Sequence, residues 1–127
     1  MAWKRKKGKR GSWKSGWFTI GGQKHYYRSS WEVKYARYLE KQKKAKKIIK
    51  WDYECDTFWF DKIKRGTKSY LPDFKVFHLD ESIEYHEVKG WMDSKSKTKI
   101  NRMRIYHPDI KLIVLQKKEL KDLGLDI

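Results

Sequence analysis

The apolar positions change period several times along the chain, and each change predicts an element. Residues 17–27, WFTIGGQKHYY, set β-forming side chains on both sides of Gly21-Gly22, which predicts a hairpin whose turn takes positive φ. In RSSWEVKYARYLEKQKKAKKI, residues Trp31, Tyr35, Tyr38, Leu39, Ala45 and Ile49 recur at helical spacing. Ser29 with Glu32 three residues on is a capping-box pattern at the start of that helix. From residue 48, IIKWDYECDTFWFDKIKRGTKSYLPDFKVFHL is rich in aromatic and β-branched side chains and reads as strands, with KRGTKS as a turn. SIEYHEVKG is the next strand. SKSKTKINRMRIYH is a second helix that Pro108 stops, IKLIVL a short buried strand, and KKELKDLG a last helical turn or two ending at Gly124. Hairpin, helix, three or four strands, helix, strand, helix: this order predicts an α/β domain, a mixed β-sheet flanked by helices. No internal repeat interrupts it.

Composition sharpens the picture in two ways. Apolar residues make up 39% of the 127, but aromatics make up 16%, with seven Trp and eight Tyr, so a core is feasible despite the polar balance. Lys and Arg number 32 against 16 Asp and Glu, a net charge of +16, which points to a polyanionic partner, nucleic acid first. Residues 1–16 concentrate this charge in Lys4, Arg5, Lys6, Lys7, Lys9, Arg10 and Lys14, with no acidic residue before Glu32. We read 1–16 as a flexible basic arm that contacts phosphates, with Trp3, Trp13 and Trp17 able to stack on bases, and 17–127 as one domain. A localisation tag or solubilising tail is the plainer alternative. The opening residues carry no apolar run behind their charges, and no stretch reaches the roughly 20 apolar residues of a membrane span. The expectation is a soluble, intracellular, cytoplasmic protein of phage or prokaryotic type, without a membrane partner. The lone Cys55 excludes an internal disulfide and a cysteine-rich zinc site, and reads as a small buried side chain.

Candidate chemistry lies in YLPDFKVFHLDESIEYHEVKGW, residues 70–91. Alternation puts Asp73, Lys75, Phe77 and Leu79 on one face of the first strand, and Ile83, Tyr85, Glu87 and Lys89 on one face of the second. With an odd-numbered loop near Asp80-Glu81-Ser82, Asp73 sits opposite Glu87 or Lys89; a two-residue loop would pair it with Val88. Two carboxylates forced together repel, and their hard oxygens suit Mg²⁺, with Mn²⁺ able to substitute. Such an ion can hold a phosphate oxygen and acidify water for phosphodiester hydrolysis, while Lys89 stabilises the charge that develops. A cross-strand Glu–Lys salt bridge on a half-exposed strand pair is the plainer alternative. The apolar neighbours in YLPDF and HEVKGW weigh against it, because they make desolvation of these charges costly.

Pro72-Asp73 followed by Glu87-Val88-Lys89 in a hairpin, with Gly90 trailing, resembles the PD-(D/E)XK nuclease superfamily. The order of elements over roughly residues 17–115 is similar too, and the chain looks most like small phage-type endonucleases, including junction-resolving enzymes. The resemblance implies a restriction-endonuclease-like core, with Asp73 and Glu87 as metal ligands, Lys89 as the catalytic lysine and the Val88 carbonyl as a further ligand. It also implies that Glu32, at the start of the first helix, completes the metal site; the capping box with Ser29 explains Glu32 without a metal. The implied activity is Mg²⁺-dependent endonucleolytic cleavage of DNA, with branched or junction DNA in recombination or DNA processing as the preferred substrate and a homodimer as the working form. A sequence-specific homing or restriction-type nuclease is the second reading. A non-catalytic nucleic-acid-binding protein on the same fold is the third, and a basic component of a nucleoprotein particle the fourth.

Lys95, Lys99 and Arg102 fall at i, i+4 and i+7 of the second predicted helix, a basic face that could follow a phosphate backbone just after the motif. EKQKKAKK (40–47) reads as a solvated face. His86 is expected to face away from the site as a packed or surface histidine, and His25 and His78 fall in no pattern. Trp51, Phe58, Trp59, Phe60 and Trp91 are expected in the core.

Overall fold

A computed structural model describes residues 14–127 of the chain. The predicted hairpin forms as β1 (Gly16–Ile20) and β2 (Gln23–Tyr27), antiparallel with Ile20 paired to Gln23. Gly21 and Gly22 take φ of 61° and 80°, the pair of positive angles that a two-residue turn between twisted strands requires.

Helix α1 (Ser30–Lys44) starts at Ser29, whose side chain accepts from the Glu32 N–H. It ends earlier than its apolar period predicts. Lys46 adopts φ 61°, and the N–H groups of Lys46 and Lys47 turn back onto the carbonyls of Lys43 and Gln42. This is a Schellman closure with lysine where glycine is usual, so no sequence signal marks it. Ala45 and Ile49 therefore leave the helical stripe, and the strand β3 (Ile48–Tyr53) begins at once.

The central sheet has four strands in the order β3, β6 (Phe74–His78), β7 (Ile83–Val88), β8 (Leu112–Leu115). The first three are antiparallel neighbours and β8 runs parallel to β7, so the sheet is mixed. Helix α2 (Ser94–Tyr106) makes the crossover that a parallel pair needs. A second small pair, β4 (Phe58–Trp59) with β5 (Ser69–Tyr70), lies outside the main sheet. Helix α3 (Lys117–Asp122) follows β8.

Each sheet face has its own core. On one side Val33, Tyr35, Ala36 and Leu39 of α1 meet Trp51, Phe74, Val76, Val88 and Leu115, with Ile20 and Tyr27 from the hairpin and Leu120 from α3. On the other, Met103 of α2 packs with Phe60 and Tyr70, against Phe58 and Leu112. The protein is thus mixed α/β, with helices on both sides of the sheet. β8 is half-buried except at Leu115, less enclosed than its unbroken apolar run predicts. Trp51, Phe58 and Phe60 join the cores as expected, but Trp59 and Trp91 are 62% and 69% exposed. Trp59 stands on the open face of a two-residue strand, and Trp91 follows β7 after the sheet has ended. Cys55 is exposed as well, because it lies in the loop between β3 and β4 rather than on a strand.

Candidate functional site

The connection between β6 and β7 decides where the motif residues meet. It holds three residues, Leu79, Asp80 and Glu81, between the paired His78 and Ser82, with Glu81 at φ 72°. That is the odd-numbered loop, built as a turn closed by one left-handed residue. Asp80 stabilises it by accepting from both the N–H and the hydroxyl of Ser82. Phe74 then pairs with His86, and one further step sets Asp73 opposite Glu87.

Both carboxylates are buried, at 6% and 8% exposure. Asp73 Oδ2 accepts the Val88 N–H at 2.9 Å, and Glu87 Oε1 accepts the Tyr70 hydroxyl at 2.6 Å and the Asp73 N–H at 3.3 Å. Val88 therefore enters the cluster through its N–H, while its side chain sits in the main core. Glu32 is buried too, facing the sheet from the first turn of α1, where its carboxylate accepts from the Tyr53 hydroxyl at 2.5 Å and the Arg28 N–H at 3.3 Å. It does not close the reciprocal half of a capping box onto Ser29; the carboxylate is turned to the sheet instead. Gly90 lets the chain pass close to α1, since a Cβ there would lie 3.1 Å from the Trp31 ring.

The charges at this end are only partly compensated. Burial pushes the Asp73 carboxyl well above its ordinary value, and the nearby Glu87, Glu32 and Glu54 carboxylates push it further. Burial also raises Glu32 and Glu87, against hydrogen bonds from Tyr53 and Tyr70. Two cations approach the cluster: Lys89, whose Nζ lies 3.9 Å from Glu87 Oε2, and Arg28, which pairs with Glu54 and acts on Glu32. Tyrosine hydroxyls satisfy lone pairs but carry no charge, so the desolvation cost stands. Three buried oxygen-donor side chains with a net negative balance are a donor set that suits a hard divalent cation. Their ligand atoms are not gathered tightly: among the described residues, the set of three whose atoms lie within 4.8 Å of one another is His78, Glu84 and His86.

That second set lies on the α1 side of the same hairpin. Glu84 Oε1 is 2.9 Å from His78 Nε2 and 3.0 Å from His86 Nε2, and Glu84 Oε2 is 2.9 Å from Lys111 Nζ. Burial acts to raise Glu84, but the close approach of His86, Lys111 and His78 outweighs it and holds the carboxyl at about 2. His86 is buried, with its pKa lowered by that burial, and its Nδ1 meets the Tyr35 hydroxyl at 2.6 Å. It is packed and faces away from Asp73 and Glu87, as alternation predicts. His78 and Glu84 were legible by the same argument, because positions 78, 84 and 86 share a face once the loop is odd. Tyr53 and Tyr70 lie on other strands, and nothing in the sequence ties them to the carboxylates.

The remaining predicted contacts are spread out. Lys4, Arg5, Lys6, Lys7, Lys9 and Arg10 lie outside the described residues, and Lys14 is exposed just before β1. On α2, Lys95 is exposed and Lys99 half-buried. Arg102 is not a free cation of that face: α2 turns it toward the β4–β5 connection, where it donates to the Thr67 carbonyl. No helix among the described residues is long and apolar enough to cross a membrane.

Fold and site together define a mixed α/β protein with a buried, undercompensated carboxylate cluster at one end of its central sheet. The chain belongs to the family described as "Protein of unknown function (DUF1064)", whose model matches residues 16–122. No curated protein and no solved structure matches it.

Proposed function

We propose that the protein is a metal-dependent DNA endonuclease on a restriction-endonuclease-like core. The observation that carries this reading is the placing of Asp73 opposite Glu87, both buried, both raised in pKa, with Glu32 nearby and Lys89 as the adjoining cation. A chain that folds around such a cluster tolerates an unfavourable apo site, and functional sites are where that is expected. Asp73, Glu87 and Glu32 would hold Mg²⁺ or Mn²⁺; when bound, such an ion supplies positive charge to a phosphate oxygen and makes water acidic enough to attack phosphorus. Lys89 places its ammonium beside Glu87, where it can stabilise charge gathering on the phosphate oxygens in the transition state. Tyr53 and Tyr70 orient Glu32 and Glu87 by donating to one oxygen of each. Exposed Trp91, two residues beyond Lys89, offers a ring on which a base can stack, and the net charge of +16 supplies the pull on the backbone.

Branched or junction DNA is the substrate we favour, on the resemblance of the motif. The test is cleavage of labelled four-way junction, linear duplex and single-stranded DNA in Mg²⁺, Mn²⁺ or EDTA, with Asp73→Ala beside the wild type. Metal-dependent cutting that the variant loses is expected. No cutting of any substrate, with binding intact in both proteins, would return the chain to the non-catalytic nucleic-acid-binding class.

A further inference from the structure

The His78, Glu84, His86 set has a different chemistry from the carboxylate cluster. Its ligand atoms are two imidazole nitrogens and one carboxylate oxygen, all within 4.8 Å of one another. Two nitrogens and one oxygen are the donor types of borderline transition metals, and His₂Glu with an open fourth position is an established zinc arrangement. We propose that His78, Glu84 and His86 bind one divalent transition-metal ion of the zinc class.

Four features support it. The two separations from Glu84 Oε1, 2.9 and 3.0 Å, are close to the roughly 3.3 Å between ligands around a tetrahedral ion with bonds of about 2.0 Å, so the side chains need little rearrangement. The His78 Nε2 atom is buried and has no hydrogen-bond partner, although Glu84 Oε1 lies 2.9 Å away. A buried nitrogen without a hydrogen-bond partner is available to serve as a ligand. His86 has its other nitrogen, Nδ1, engaged by Tyr35, which fixes the ring and leaves Nε2 to face Glu84. Metal-bound histidines are commonly oriented in this way through the second nitrogen. Finally, Lys111 contacts Oε2 of Glu84 and not Oε1, so it can stay in place while Oε1 takes the ion. The His78 side chain, 31% exposed, is the most open of the three ligands, although its Nε2 atom is buried.

All three ligands belong to β6 and β7, and Tyr35 ties them to α1. The ion would pin the hairpin that carries Asp73 and Glu87. The site itself does not depend on whether the chain cuts DNA.

The test uses tag-free full-length protein stripped with EDTA, then loaded with Zn²⁺, or with Co²⁺ as a spectroscopic probe. We expect one bound equivalent after dialysis, the intense visible bands of four-coordinate Co²⁺, and a higher Tm with Zn²⁺. His78→Ala, at the more exposed ligand, should weaken binding by about 100-fold or more while the protein stays folded. His86→Gln should do the same, and Asp73→Asn should keep the full equivalent. No retained ion in the wild type would overturn the proposal. So would equal affinity in His78→Ala, or loss of the ion in Asp73→Asn, which would assign the binding to the carboxylate cluster.

Discussion

Glu84 and Glu87 stand on the same strand, both largely removed from solvent, and their carboxyl groups shift in opposite directions. Glu84 is held down at about 2 by two imidazoles and an ammonium. Glu87 is raised, as are Asp73 and Glu32 around it, because burial there outweighs tyrosine hydroxyls and the single ammonium of Lys89, where Glu84 meets two imidazoles and an ammonium. The strand gives both the same backbone, but Glu87 is buried and Glu84 half-buried. Depth and the charge of the partners both differ, so the two stretches of one hairpin separate a stabilising carboxylate from destabilising ones. Folding alone accounts for the first. On the proposed reading, the second is completed by a divalent cation, whose charge and hardness suit buried carboxylates.

The largest effect expected from this contrast is on catalysis. Asp73→Ala and Glu87→Gln should each reduce metal-dependent DNA cleavage by several kcal/mol of transition-state stabilisation, on the order of 10³-fold. Glu84→Gln should leave the cleavage rate within a few-fold of wild type. Loss of cleavage in Glu84→Gln with the fold intact would end the separation of the two sites.

The same conservative change should also have opposite effects on stability. Asp73→Asn removes a buried charge while an amide oxygen can still accept the Val88 N–H, and should stabilise the apo protein by about 1–2 kcal/mol. Glu84→Gln takes a charged partner from His78, His86 and Lys111, and should cost about 1 kcal/mol, kept small by the exposure of Lys111. Urea unfolding in EDTA reads both. Equal signs would show that charge compensation does not distinguish the two stretches.

Titration sharpens the point. Asp73 is raised in the folded protein, so between its ordinary value of 3.8 and its folded value the native state holds the proton more tightly than the unfolded chain does. Its contribution to stability therefore falls as pH rises through that window, and the gain from Asp73→Asn should be largest at neutral pH and shrink toward pH 4. Glu84 is lowered from 4.5 to about 2, so its contribution is complete above 4.5 and lost as pH falls through 2. The cost of Glu84→Gln should persist to mild acid and vanish near the bottom of that range. Unfolding series from about pH 2 to 8 on the two variants and wild type would show the two trends crossing, or would show that they do not.

The sequence disclosed the carboxylate end more readily than the histidine end. Alternation along β6 and β7 placed Asp73 with Glu87 or Lys89 as soon as an odd loop was granted, the three-residue loop selects Glu87, and the Ser29–Glu32 spacing located the start of α1. Alternation held the histidine set equally, but His78 and Glu84 are diagonal across the ladder and carry no short motif. Three other features lay beyond local pattern. Lys46 closes α1 in a left-handed conformation that lysine does not advertise. Tyr53 and Tyr70 come to Glu32 and Glu87 from distant strands. Trp59 and Trp91 carry the composition of a core and stand outside it, because a two-residue strand and a strand end leave them without a covering layer.

The smallest effect tests where a polyanion lies. Helix α2 starts at Asp93, just past Trp91 and Lys89, so its first turn belongs to the carboxylate end, whereas Lys111 belongs to the histidine end. Lys95 is exposed on that first turn, while Arg102 is held by the Thr67 carbonyl. If a DNA backbone passes the carboxylates, Lys95→Gln should weaken binding a few-fold and reduce the slope of log affinity against log salt by about 1. Lys111→Gln should leave the slope unchanged, and Arg102→Gln should lower Tm more than it changes the slope. A slope that responds to Lys111 and not to Lys95 would move the nucleic acid to the other end of the hairpin. The exposed cations of α2 would then be solvated charge, and the raised carboxylates would have no phosphate to serve.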